Sequence, residues 1–160
     1  MPTSPTLWIF TLGSMIFFGA SLALIYRGRK GSESSLRRGT DMAGWALTIM
    51  TGIYMGFAIA NDAHSFSKIE MFFNGVLVTI LVIMRWQNVS QRLAFASLLI
   101  GVHGLWDVLH LFDLPLANDL VPKWYAGACG ILDLVYFAIA LPVFINIVRT
   151  GRANSGEPAS

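Results

Sequence analysis

The segment LAFASLLIGVHGLWDVLHL, residues 93–111, places two histidines and an aspartate within an otherwise apolar run. It is one of five apolar runs, which cover residues 7–26, 42–60, 69–86, 93–111 and 124–148. At about 1.5 Å rise per residue, a helix of each length crosses a hydrocarbon core of roughly 30 Å. The sequence therefore predicts an all-α integral membrane bundle of five transmembrane helices.

The composition agrees with this class. The 160 residues are 55% hydrophobic and 12% charged, whereas a soluble domain carries about 25% charged residues. The lipid bilayer is thus the expected partner. The first run has no basic residues before it and no A-x-A site after it, so we expect a retained helix rather than a signal peptide. Residues 1–149 are predicted to form one domain.

The distribution of basic residues predicts the orientation in the membrane. Nine of the eleven lysines and arginines fall on one side of the predicted bundle: Arg27, Arg29, Lys30, Arg37, Arg38, Arg85, Arg92, Arg149 and Arg152. By the positive-inside rule this side is cytoplasmic, which puts the N-terminus outside and the C-terminus inside. We expect a multi-pass plasma (inner) membrane protein with a solvated loop at residues 28–40 and a disordered cytoplasmic tail at 150–160. No nucleic-acid partner is expected.

Acidic and imidazole groups concentrate in the predicted outer half. They are His64, His103, His110, Asp62, Glu70, Asp107, Asp113, Asp119 and Asp133. An ionised group in hydrocarbon costs at least about 2.5–3.5 kcal/mol, so such groups indicate function when they lie within a span. They must be paired, protonated or bound to a cation.

The fourth and fifth spans carry the most informative pattern. His103, Asp107 and His110 point within roughly 60° of one another on a helix, because their spacings are i,i+4 and i,i+3. In the fifth span Cys129 and Asp133 also share a face. The two spans form an antiparallel hairpin that brings these residues to matching depths. We therefore expect the two polar faces to meet.

The leading hypothesis is a divalent metal site. His103, Asp107 and His110 would supply three ligands, and Asp133 or Cys129 a fourth. Zinc is the expected ion, with iron or copper as alternatives. If one coordination position held water, the site would support a hydrolase acting on a lipid-like or other hydrophobic substrate. The candidates for its general base are Asp62, Glu70 and Asp133.

Two other interpretations of the same groups stay open. One is a hydrogen-bonded polar network that only stabilises the bundle. The other is a non-catalytic subunit or a transporter that handles protons or metal, since Asp and His chains form relays. Separately, Gly52 and Gly56 form a small-xxx-small pattern. It predicts close helix packing, within the chain or in a homo-oligomer.

Three short motifs follow one another in the last two spans. They are H-x3-D-x2-H (His103, Asp107, His110), V-P-x-W (Val121, Pro122, Trp124) and C-x3-D (Cys129, Asp133). In this order they resemble small multi-pass bacterial membrane proteins of no settled function. The resemblance implies that the motifs act as a unit, and it implies no particular activity.

Overall fold

Five α-helices account for most of the residues that the computed structural model describes, namely 5–60, 66–112 and 121–155. They are α1 (Pro5–Gly28), α2 (Glu33–Ala60), α3 (Ser67–Met84), α4 (Val89–Leu111) and α5 (Lys123–Ser155). No strand occurs in those ranges. The predicted all-α fold is confirmed, with five helices that are long and apolar enough to cross a membrane.

The connection between α1 and α2 is much shorter than the predicted loop at residues 28–40. The helix α2 already begins at Glu33, because Ser32 provides an N-cap: its hydroxyl accepts a hydrogen bond from the Ser35 N–H at 3.4 Å. Glu33 in the first turn is favourable beside the positive end of the helix dipole. The chain reverses at Gly31, whose φ of 101° is costly for other residues. The prediction of a long polar loop was wrong.

The C-terminal helix also extends further than expected. The helix α5 continues to Ser155, so residues 150–155 of the predicted disordered tail are helical. Once a helix has formed, each added residue contributes a backbone hydrogen bond at little further cost, which favours this extension. Residues 156–160 lie outside the described part of the chain.

The helices pack around α2 and α4. The most extensive interfaces are those of α4 with α5 and of α1 with α2, and α2 also contacts α3 and α4. Large apolar side chains remain exposed on the outer surface, including Ile16 at 73%, Phe72 at 74% and Ile131 at 68%. Exposed apolar surface of this extent marks contact with other apolar material, which suits a bundle surrounded by lipid.

We name the two ends of the bundle by their residues. The basic end carries the connections at residues 29–32 and 85–88, and the site end is the opposite one, where α4 ends and α5 begins. Gly104 in α4 permits a close approach of α5 toward the site end, because a Cβ there would lie 2.8 Å from the Cβ of Asp133. Gly130 in α5 permits the same close approach from the other side, because a Cβ added there would lie 3.0 Å from the Cβ of Asp107. These two glycines bring both carboxylates into the interface.

Gly52 and Gly56 behave differently. Both are exposed on α2, and a Cβ added at either would meet no described atom within 4 Å. The small-xxx-small pattern is therefore not used for packing among the described residues. The homo-oligomer through this face stays a prediction.

Candidate metal centre

Three ionisable side chains meet between α4 and α5. His103 Nδ1 lies 2.8 Å from Asp133 Oδ2 and 3.4 Å from Asp107 Oδ2. All three side chains are completely buried. One ligand atom from each residue lies within 4.8 Å of those from the other two. The polar faces of the fourth and fifth spans thus meet, as their spacing predicted, and we call His103, Asp107 and Asp133 the trio.

Helix α2 contributes a fourth group. The Tyr54 hydroxyl donates a short hydrogen bond to Asp107 Oδ1, and its ring stands edge-on to two imidazoles. The ring centroids are 5.0 Å from that of His103 and 5.6 Å from that of His110. Sequence reasoning missed Tyr54. A signal existed, since a phenol within a buried apolar segment usually finds a hydrogen-bond partner.

The trio retains unused ligand atoms. His103 Nε2, Asp107 Oδ2 and Asp133 Oδ1 are buried and have no hydrogen-bond partner among the described residues. No lysine or arginine in those ranges forms an ion pair with either carboxylate. A buried polar atom without a partner costs roughly 1–3 kcal/mol or more. A cation bound among the three side chains would give the buried carboxylate oxygens a partner and reduce that cost.

The donor set is also chemically suited to a divalent ion. Imidazole nitrogen and carboxylate oxygen are both zinc ligands, whereas non-haem iron sites typically use two histidines and one carboxylate. Two ligands at about 2.0–2.2 Å from one ion lie at most about 4.4 Å apart. The trio's ligand atoms, within 4.8 Å of one another, approach that limit. A small inward shift of side chains would complete the fit.

His110 belongs to a second cluster, centred on Glu70 of α3. His110 Nε2 lies 3.1 Å from Glu70 Oε2, and its Nδ1 lies 3.0 Å from the Trp106 carbonyl oxygen. The same carboxylate accepts hydrogen bonds from Asn74 Nδ2 at 2.7 Å and from Trp106 Nε1 at 3.1 Å. Both nitrogens of His110 therefore face oxygen acceptors. In this arrangement neither has a lone pair directed at the trio.

The sequence-predicted residues are thus divided. The trio holds three of the predicted ligands, whereas His110 is paired with Glu70, the residue proposed as a general base. Cys129 is buried with a free thiol and is not one of the clustered ligands. The remaining candidate base, Asp62, and the nearby His64 lie outside the described residues, as do Asp113 and Asp119.

The separation of the two histidines has a simple cause. Seven residues of α-helix span about 10.5 Å along the axis, more than twice the largest distance between two ligands of one ion. His103 and His110 share a face of α4 but not a depth. The Tyr54 ring packs against both of them.

Comparisons with known proteins add no family assignment. No protein-family model, curated protein or solved structure matches this chain.

Proposed function

We propose that this multi-pass membrane protein binds a divalent cation through His103, Asp107 and Asp133, and that zinc is the preferred ion. The observation that supports the proposal is the convergence of three ligand atoms from these residues within 4.8 Å in a completely buried site. Carboxylate oxygens that lack a hydrogen-bond partner inside an apolar bundle are costly. A bound cation compensates both charge and lost hydration.

Ion handling is the activity that we assign to the site. The three side chains are completely buried, so a lipid substrate would require the helices to separate, whereas a single ion is much smaller. The proposed orientation, with the N-terminus outside, places the site in the outer half of the membrane. The basic end then faces the cytoplasm, as the positive-inside rule requires.

The direct test is the metal content of the detergent-purified protein, measured by inductively coupled plasma mass spectrometry after zinc loading and desalting. We expect stoichiometric zinc in the wild type and background zinc in Asp133→Asn. The control is Ser97→Ala, which removes a buried hydroxyl from α4, the helix that carries His103 and Asp107; this hydroxyl donates to the Leu93 carbonyl oxygen rather than to the trio. Wild-type protein without metal, or an Asp133→Asn variant that retains it, would overturn the proposal.

A hydrolase is the second candidate, and the number of ligands favours it. Catalytic zinc sites use three protein ligands and leave one position for water or substrate, and the trio offers three. Zinc supplies a nucleophilic water in such sites. Two parallel assays on the same zinc-loaded protein distinguish ion handling from hydrolysis. Zinc uptake into proteoliposomes supports ion handling, and zinc-dependent cleavage of a lipid amide or ester supports the hydrolase.

A further inference from the structure

A cavity lies at the basic end, far from the trio. It has a volume of about 280 Å³ and lies between α2, α3 and α4. The lining residues that matter here are Asp41, Trp45, Leu81, Val82, Arg85 and Arg92. The metal proposal does not involve any of them.

The charges in this cavity do not cancel. Arg92 forms a short ion pair with Asp41. Arg85, which directly follows α3, forms no ion pair with a described residue. One guanidinium group, exposed at the end of α3, is thus left without a counter-charge from the described residues. The planar guanidinium group can donate two parallel hydrogen bonds to one phosphate group.

Apart from Thr40 and Thr48, the rest of the lining is apolar, and part of it reaches the outer surface of the bundle. Leu81 and Val82 of α3 form part of its wall, and Val82 is 53% exposed. Trp45 of α2 also lines the cavity and is 58% exposed, and indole rings favour the membrane interface. The cationic group is complementary to the phosphate of a phospholipid headgroup, and the adjoining apolar wall is complementary to an acyl chain.

We propose that this cavity binds an anionic glycerophospholipid, whose headgroup phosphate contacts Arg85 and whose acyl chain lies along Leu81 and Val82. Basic cavities between transmembrane helices bind anionic headgroups in this way. Asp41 does not oppose the phosphate, because its charge is held by Arg92. The pair instead fixes one wall of the cavity between α2 and α4.

The test is native mass spectrometry of the full-length protein in detergent, titrated separately with dioleoylphosphatidylglycerol and dioleoylphosphatidylcholine. We expect one phosphatidylglycerol to be retained with about tenfold preference, which corresponds to about 1.4 kcal/mol. Arg85→Gln should abolish the preference, and Arg85→Lys should restore part of it. Equal retention of both lipids by the wild type would overturn the proposal.

Two controls distinguish this site from other sources of binding. Arg38→Gln removes a charge from α2 outside the cavity. It should leave the preference unchanged, and an equal loss would indicate diffuse attraction to the basic end. Inorganic phosphate at millimolar concentration should not displace the lipid. If it does so completely, the site binds free anions and the lipid assignment is wrong.

Discussion

His103 Nδ1 lies 2.8 Å from Asp133 Oδ2, and this contact joins α4 to α5 between residues 30 positions apart in the chain. The approach is possible because Gly104, one residue beyond His103, has no side chain. Asp107 joins the same group from one helical turn away and is held by Tyr54 of α2. Three helices therefore share one buried polar centre, and substitutions at and around this centre test the contribution of its individual residues.

The two histidines of α4 should differ in their effect on metal binding. His103→Ala should reduce bound zinc to background, because it removes one of the three clustered ligands. His110→Ala should keep stoichiometric zinc, since His110 is engaged by Glu70 and the Trp106 carbonyl. Metal content and zinc affinity of both purified variants check this. Equal losses in the two variants would show that His110 is a ligand, as the H-x3-D-x2-H pattern suggested.

The close approach at Gly104 should be intolerant of a methyl group. Gly104→Ala places a Cβ 2.8 Å from the Cβ of Asp133, and we expect a loss of about 1–3 kcal/mol in unfolding free energy from overpacking. Zinc affinity should fall as well, because the carboxylate is displaced. Thermal or SDS unfolding in detergent and metal titration measure the two effects.

Gly52→Ala is the matched control for that experiment. A Cβ at Gly52 meets no described atom within 4 Å, and alanine is the better helix former by up to about 1 kcal/mol. The variant should be as stable as the wild type or slightly more stable. Equal destabilisation by both substitutions would contradict the packing that we describe.

The Tyr54 hydroxyl should support the site through Asp107. Tyr54→Phe keeps the ring but removes the donor to Asp107. Groups that orient a ligand typically change metal affinity by about 10–100-fold, and we expect a decrease in that range. Isothermal titration with zinc measures it.

Tyr136→Phe provides the comparison for Tyr54→Phe. Tyr136 is also buried, and its hydroxyl lies 2.9 Å from Ser21 Oγ rather than at the trio. Its loss should lower stability by about 0.5–1.5 kcal/mol and leave zinc affinity unchanged. A decrease in zinc affinity of similar size in both variants would assign the effect to general loosening of the bundle.

Labelling of introduced cysteines should report the orientation. Lys68→Cys at the site end and Ser34→Cys at the basic end both lie on exposed positions. Treatment of intact cells with a membrane-impermeant maleimide should label Lys68→Cys, and Ser34→Cys should react only after permeabilisation. The native Cys129 is 2% exposed and should stay unlabelled in both. The reverse pattern would put the metal centre on the cytoplasmic side.

Helix boundaries followed the hydrophobicity of the sequence only in part. The apolar runs located all five helices, because a span must be about 20 apolar residues long. The length of the apolar run did not reveal the first part of α2, because that part is polar. Hydrophobicity places Ser32 and Glu33 in a loop, although a serine followed by an acidic first turn is typical of a capped helix start.

The sequence by itself determined the class of the protein and the meeting of two helix faces. The scarcity of charge excluded a water-soluble surface, and helical periodicity aligned His103 with Asp107. The antiparallel connection then set Asp133 at their depth. These conclusions follow from helix geometry and the cost of charge in lipid, which require no tertiary contact.

Only the tertiary structure decided which partners each group has. Angular spacing places His110 on the same face as His103, but Glu70 of α3 and Tyr54 of α2 approach that face at different depths. One helix thus serves two polar clusters. Neither Tyr54 nor the pairing of His110 with Glu70 could be predicted from α4 and α5, because both depend on how separate helices pack side by side.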